Sequence, residues 1–108
     1  MEKINFDDFS KLKIRVGKIT NAEEVEGSNK LIKMKVDIGD EERQIVAGIS
    51  KYYSLDELTN KTVIVLVNLE PRKIFGIESQ GMLLASINED KVSLLQTDKE
   101  MLPGSEIG

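Results

Sequence analysis

Apolar and charged side chains alternate residue by residue in two early stretches of the chain, and that period points to β-structure. Leu12, Ile14 and Val16 are interleaved with Lys11, Lys13 and Arg15; Ile32, Met34, Val36 and Ile38 are interleaved with Lys33, Lys35 and Asp37. A helix needs an apolar repeat of about 3.6 residues, whereas a repeat of about two sets one face against a core and the other in water. The first stretch changes phase at Gly17, after which Ile19 is the next apolar residue. A glycine at a phase change predicts a bulge or strong bend, here within a strand running from Lys11 to Ala22. Leu31 to Ile38 is the second predicted strand and Arg43 to Ile49 the third, joined by the turn-like Gly39-Asp40-Glu41-Glu42.

Ser54-Leu55-Asp56-Glu57 reads as a capping box, in which Ser54 accepts from the Glu57 amide and Glu57 reaches back. It opens a short helix that ends near Asn60. Thr62 to Leu69 follows as a fourth strand, apolar on both faces and therefore expected deep in the structure. Met82 to Ile87 is the fifth, and Val92 to Leu95 forms a late hairpin across Asn88-Glu89-Asp90. Three strands, a short helix and two more strands give an all-β expectation: a five-stranded OB-fold barrel with the helix between strands three and four and a C-terminal hairpin extension. An SH3-like barrel places the helix less naturally. Residues 1–108 show no repeat, low-complexity tract or linker and are expected to form a single domain.

Cysteine and histidine are both absent, which removes disulfides, thiolate or imidazole zinc sites, cysteine nucleophiles and histidine bases. The carboxylates are scattered or lie in solvent-type runs such as Glu23-Glu24 and Asp40-Glu41-Glu42. No catalytic residue, metal or cofactor is expected. The longest apolar run, Val63 to Val67, is far short of the roughly 20 residues of a membrane span. The acidic start, Met1 to Asp8, lacks the layout of a signal peptide, so a cytoplasmic location without a membrane partner is the expectation.

The net charge of −4 argues against nonspecific binding to a polyanion. The distribution is less hostile than the sum. Lys11, Lys13, Arg15 and Lys18 fall together without an acid, as do Lys30, Lys33 and Lys35, and Arg72-Lys73 makes a third group. The acids concentrate elsewhere, near Asp40 and along the C-terminal third, so a bipolar surface is open to the chain. OB barrels bind ligands over strands two and three and between the loops after strands one and four. Those loops are Glu23 to Lys30 and Glu70 to Gly81. The second carries a proline, two adjacent cations, two glycines and a hydroxyl at the mouth of the barrel, a place where a phosphate backbone can be met.

At these residues the sequence closely resembles the tRNA-binding domain found at the C-terminus of methionyl-tRNA synthetases, as a separate synthetase subunit and in stand-alone tRNA-binding proteins. EMAP II-like cytokine precursors share it. The matching stretches are Leu12 to Ile19, Lys30-Leu31, Val36 to Gly39, Arg43 to Ile49, Asn68-Leu69-Glu70-Pro71-Arg72-Lys73 and Ser79-Gln80-Gly81-Met82. The resemblance implies an OB-fold homodimer that recognises the folded shape of tRNA. It further implies a separately encoded, noncatalytic subunit assisting a methionyl-tRNA synthetase. Many members carry His-Pro followed by Ala-Asp-Lys in the first loop, where this chain has Val25-Glu26-Gly27-Ser28-Asn29-Lys30. The CsaA-type export chaperones resemble the fold as well but generally lack the Ser-x-Gly-Met of Ser79 to Met82. A CsaA-like peptide-binding chaperone and a synthetase-associated adaptor stay open as alternatives.

With tRNA as the implied ligand, Arg72 and Lys73 are assigned to phosphate contact, the arginine as a two-bond fork and the lysine as a mobile charge. Lys30, Lys33 and Lys35 are next; the last two face outward on strand two and either meet RNA or protect a sheet edge. Asn68 and Ser79 either donate to RNA or fix the loop through backbone bonds. Met82 lies either under an exposed base or in the core. Gly76 and Gly81 are read as backbone positions, and Arg43 as either a weak contact or a partner of Glu41 or Asp40. Tyr52 and Tyr53, on the approach to the helix, are assigned to packing. So few aromatics suit recognition of a folded RNA better than threading of a single strand. Met101 to Ile107 is still partly apolar and would be an exposed tail on a monomer, which a homodimer would cover.

Overall fold

The computed structural model describes every residue from Met1 to Gly108. Its first element is one the sequence reading passed over, a short helix α1 (Phe6–Ser10). Asn5 caps it by accepting the Asp8 amide at 2.8 Å, and Asp7 and Asp8 sit in its first turn, where the helix dipole favours negative charge. The strands follow: β1 (Ile14–Glu24), β2 (Ile32–Asp37) and β3 (Glu42–Ala47). Helix α2 (Leu55–Leu58) then precedes β4 (Thr62–Leu66). The rest are short: β5 (Arg72–Ile74), β6 (Ile77–Ser79), β7 (Met82–Leu83), β8 (Ala85–Asn88), β9 (Lys91–Leu94) and β10 (Glu106–Ile107).

The main sheet runs β3-β2-β1-β4-β7, antiparallel throughout, with β10 paired to the start of β1. Its two edges are drawn together by the segment after β6. The Gln80 amide donates to the Gln44 carbonyl at 2.7 Å, and the Gln44 amide donates back to Gln80 Oε1 at 2.9 Å. The sheet thus curls into a nearly closed barrel, the all-β OB-like architecture expected from the element order. The alternation of β2 is used as expected: Ile32, Met34, Val36 and Ile38 are all buried. So are Val63, Ile64 and Val65 of β4, which has protein on both faces.

Gly17 corrects the reading of β1. Pairing with β4 runs in step through it, from Ile14 opposite Leu66 to Lys18 opposite Thr62. The register slips instead between Ile19 and Asn21 against β2, so the bulge lies at Thr20. What Gly17 supplies is room. A Cβ there would lie 2.7 Å from Val36 Cγ1 and 3.0 Å from Val65 Cγ2, too close for either to stay in place.

The capping box forms as expected, with the Glu57 amide 3.1 Å from Ser54 Oγ and the Ser54 amide 2.9 Å from Glu57 Oε1. Hydrogen bonds from the Ser54 backbone and then its hydroxyl hold the Glu57 carboxyl below its ordinary pKa. The fifth strand is divided where the sequence showed one run: β7 closes the barrel and β8 leaves it to pair with β9. Tyr53 ties that outer hairpin to the helix approach by accepting the Leu94 amide at 3.0 Å, a packing role as expected. The C-terminal segment is not a loose tail. Val16 and Gly104 anchor it through backbone bonds of 2.9 and 2.8 Å, although Met101 and Leu102 stay exposed. No helix is long and apolar enough to cross a membrane.

Candidate nucleic-acid interface

The segment Glu70 to Gly81, expected as a loop, is a hairpin. β5 and β6 pair Arg72 with Ser79, Lys73 with Glu78 and Ile74 with Ile77, leaving Phe75-Gly76 as the two-residue turn. Both turn residues have positive φ, 56° and 79°, the signature of a type I′ connection. The sequence hid it because the first position of such a turn usually carries Asn, Asp or Gly. Ile74, Ile77 and Ser79 turn partly or wholly inward.

Arg72 and Lys73 are exposed on this hairpin. The chain's ion pairs engage Lys11 with Asp8, Arg15 with Asp40, Lys33 with Glu23 and Arg43 with Glu41. Neither Arg72 nor Lys73 takes part in one, and neither do Lys30 or Lys35, which are exposed as well. Lys33 differs: its ammonium lies 2.8 Å from Glu23 across the β1–β2 ladder. The edge-protection reading of Lys33 and Lys35 falls, because β2 is flanked by β1 and β3 and is not an edge. Within the first cationic group Lys11 and Arg15 hold acids and Lys13 Nζ reaches the Ser10 carbonyl at 3.5 Å, leaving exposed Lys18 as the member outside any ion pair or side-chain bond.

Three predicted contacts prove to be tied into the fold. Ser79 is buried; its hydroxyl accepts the Val46 amide at 3.0 Å and donates to the Gly81 carbonyl at 3.2 Å. Asn68 clamps the start of β1, accepting the Lys13 amide at 2.9 Å and donating to the Lys11 carbonyl at 2.7 Å. Arg43 donates through Nη1 to the carbonyls of Val67 at 2.8 Å and Gln80 at 3.0 Å while pairing with Glu41. Backbone bonding within the loop was the alternative open for Asn68 and Ser79; the bonds are to backbone, but those of Asn68 reach Lys11 and Lys13 and one of Ser79's reaches Val46, whereas Arg43 does pair with Glu41. Met82 is half-exposed on the short β7. Gly81 is indeed a backbone position, with φ 151° and only 3.1 Å from a built Cβ to the Leu66 carbonyl.

The first loop is fixed by Ser28, whose Oγ accepts the amides of Lys30 at 3.3 Å and Leu31 at 3.2 Å. Val25 is buried beneath it, and Gly27 turns at φ 84°. This loop meets the hairpin tip: a Cβ on Gly27 would lie 3.5 Å from the Phe75 ring. The other flank of the hairpin is acidic, contrary to the expected separation of charge. Glu41 and Glu42 share a shallow recess with Arg43, Leu69, Pro71 and Gln80. Phe75, 62 % exposed at the tip, is the residue the sequence reading overlooked; an aromatic next to Gly and two residues after a cation pair was the available signal.

A nearly closed antiparallel barrel, with its helix after the third long strand and a cationic hairpin beyond the fourth, is an OB-like barrel that presents loops to a ligand. More closely, the chain belongs to the tRNA-binding domain family: residues 14–106 match the model described as "Putative tRNA binding domain". It is 57 % identical over 107 residues to a methionine–tRNA ligase of Caldanaerobacter subterraneus subsp. tengcongensis, covering 99 % of this chain and 17 % of that protein. The chain therefore spans less than a fifth of that relative's length. A MetRS-related protein from Pyrococcus horikoshii superposes with a TM-score of 0.94 at 42 % identity, each chain covered in full. The CsaA chaperone of Bacillus anthracis follows at 0.90 and 31 %, with 99 % of this chain and 100 % of that one covered.

Proposed function

We propose that this domain binds folded tRNA without catalysing a reaction, and that it raises the affinity of a methionyl-tRNA synthetase for its tRNA as a separate or associated subunit. The observation that carries the proposal is the pair Arg72 and Lys73, exposed and outside every ion pair on a hairpin at the barrel mouth, in a chain of the tRNA-binding family. Lys30 and Lys35 extend the charge beyond the hairpin, and Lys33 joins them if RNA displaces Glu23. Asn68 and Ser79 support the site from within, and Met82 borders it. Such a role belongs in the cytoplasm, where tRNA is charged.

A titration with bulk tRNA at several salt concentrations tests this. Affinity should fall with salt, and Arg72→Ala with Lys73→Ala should flatten the log-log slope by about one to two units, near one per lost phosphate contact. An unchanged slope moves the site elsewhere; absent binding ends the proposal. Co-purification with a methionyl-tRNA synthetase tests the partner.

The proposed unit is a homodimer. Phe6, Phe9, Leu12, Ile14 and Ile107 line a groove where α1 lies beside β10, and Phe6, Phe9 and Leu12 are exposed there. An apolar face of this kind suits a two-fold interface. A sedimentation mass of one chain at micromolar concentration would count against it. The same groove, with the structural likeness to CsaA, favours a second reading in which an unfolded peptide is the ligand. Salt-independent binding of such a peptide, without tRNA binding, would support that reading instead.

A further inference from the structure

Phe75 occupies one of the two turn positions on the hairpin where the backbone disfavours it. Its φ of 56° lies in the left-handed region, which bulky side chains rarely adopt and which costs on the order of 1–3 kcal/mol outside glycine. Asparagine or aspartate at this first turn position would relieve the strain. The ring repays little of it by burial, because Phe75 is 62 % exposed. Asn60 and Glu89 share the positive φ, but one ends a helix as asparagine commonly does, and the other places an acid on the β8–β9 turn. Phe75 alone combines the strain with a large exposed apolar group.

Its surroundings say what the ring could meet. Arg72 and Lys73 stand on the strand that leads into the turn, both exposed and neither in an ion pair, although Glu78 lies opposite Lys73 on the ladder. On the far side the ring leans over Gly27 of the first loop, which a few residues on presents exposed Lys30. An exposed aromatic ring on a hairpin that also carries exposed cations is suited to a nucleobase whose phosphates the cations hold, since every base offers a π-face. It is less suited to an apolar peptide, which would leave those charges without counterparts.

We propose that Phe75 is a base-stacking residue: its ring packs on an unpaired or end-exposed base of the bound RNA while Arg72 and Lys73 hold the adjoining phosphates. This rests on the tRNA-binding reading above and adds to it a contact with a base rather than with the backbone. A single ring of this kind gives one point of stacking on a folded RNA, not a platform along a single strand.

The two readings part in one set of titrations with bulk tRNA. Phe75→Ala should weaken binding about tenfold while leaving the salt slope unchanged, because no charge is lost. Phe75→Trp should bind as the parent does, and its emission should be quenched on binding; the chain has no other tryptophan, so the signal is local. Phe75→Asn is the decisive variant. It should raise the melting temperature by a few degrees by relaxing the turn and yet bind more weakly, a divergence that a purely structural role does not produce. Salt-dependent binding that is equal in the parent, Phe75→Ala and Phe75→Asn would overturn the stacking role and leave the tRNA reading intact. Binding weakened by Phe75→Trp, or a tryptophan emission unmoved by saturating tRNA, would also overturn it. If the parent itself fails to bind tRNA, both proposals fall.

Discussion

Two tight turns border the β5–β6 hairpin, the β2–β3 turn near its base and its own turn at the tip, and they treat charge in opposite ways. The acidic turn between β2 and β3 has every carboxylate engaged: Asp40 by Arg15 at 3.1 Å, Glu41 by Arg43, and Glu42 by the Thr20 hydroxyl at 2.7 Å. The β5–β6 hairpin leaves Arg72 and Lys73 outside any ion pair, with Glu78 opposite Lys73 but not bonded to it, and lifts Phe75 into solvent on a strained backbone. The first turn is built inward, its polar groups satisfied by the protein. The second is built outward, its groups satisfied only by something else. Density of charge would not have told them apart; the partners do.

The largest effect expected on the inward turn is that of Arg43→Ala. Its guanidinium crosslinks the turn to the ends of β4 and β6 through the carbonyls of Val67 and Gln80. Removing it leaves two partly buried acceptors and Glu41 without their donor, a loss of about 2–3 kcal/mol by the strength of charge-assisted bonds. Chemical denaturation should show that loss, with a tRNA salt slope within error of the parent once the variant is folded. A slope that falls by a full unit with little loss of stability would place Arg43 on the RNA and erase the contrast between the turns.

The outward turn should behave in reverse. Replacing Arg72 and Lys73 with alanine, which should flatten the salt slope, should change unfolding free energy by less than about 0.5 kcal/mol, as is usual for exposed residues outside ion pairs. Denaturation midpoints measured beside the titrations check this. A destabilisation of about 2 kcal/mol would mean that these cations hold the hairpin down, and that weaker binding reports unfolding instead of lost contacts.

Much of the barrel was legible because its strands obey local rules. Alternation in Ile32 to Ile38 marked the buried face, and the unbroken apolar run at Val63 to Val67 marked a strand covered on both sides. Where the reading slipped, a distant neighbour had decided the matter. Gly17 looked like a bulge because nothing in the sequence reveals that Val36 and Val65 crowd its Cα. Arg43, Asn68 and Ser79 are polar residues near a binding loop, and only their partners 24 to 57 positions away tie them to the framework. The hairpin was missed because Phe75 breaks the turn rule that would have announced it. Phe75 is also the residue for which a use outside the fold best accounts for the break.

The capping box of α2 lies away from both turns and serves as their control. Ser54 and Glu57 form a reciprocal pair that, like the acidic turn, is complete within the protein. Ser54→Ala should cost about 1 kcal/mol, the usual worth of an N-cap hydroxyl, with no change in tRNA affinity or salt slope. The pair also carries a sign in pH. Because the folded Glu57 carboxyl sits below its ordinary pKa, its contribution is fully present above that ordinary value and is lost as pH falls through the lowered one. The stability gap between the parent and Glu57→Gln should therefore narrow on acidification and hold constant at neutral pH, whereas Ser54→Ala keeps the backbone amide that makes the larger contribution. A gap that widened in acid would mean that the bond favours the protonated carboxyl. A change in tRNA affinity would mean that α2, not only the hairpin beyond β4, belongs to the binding face.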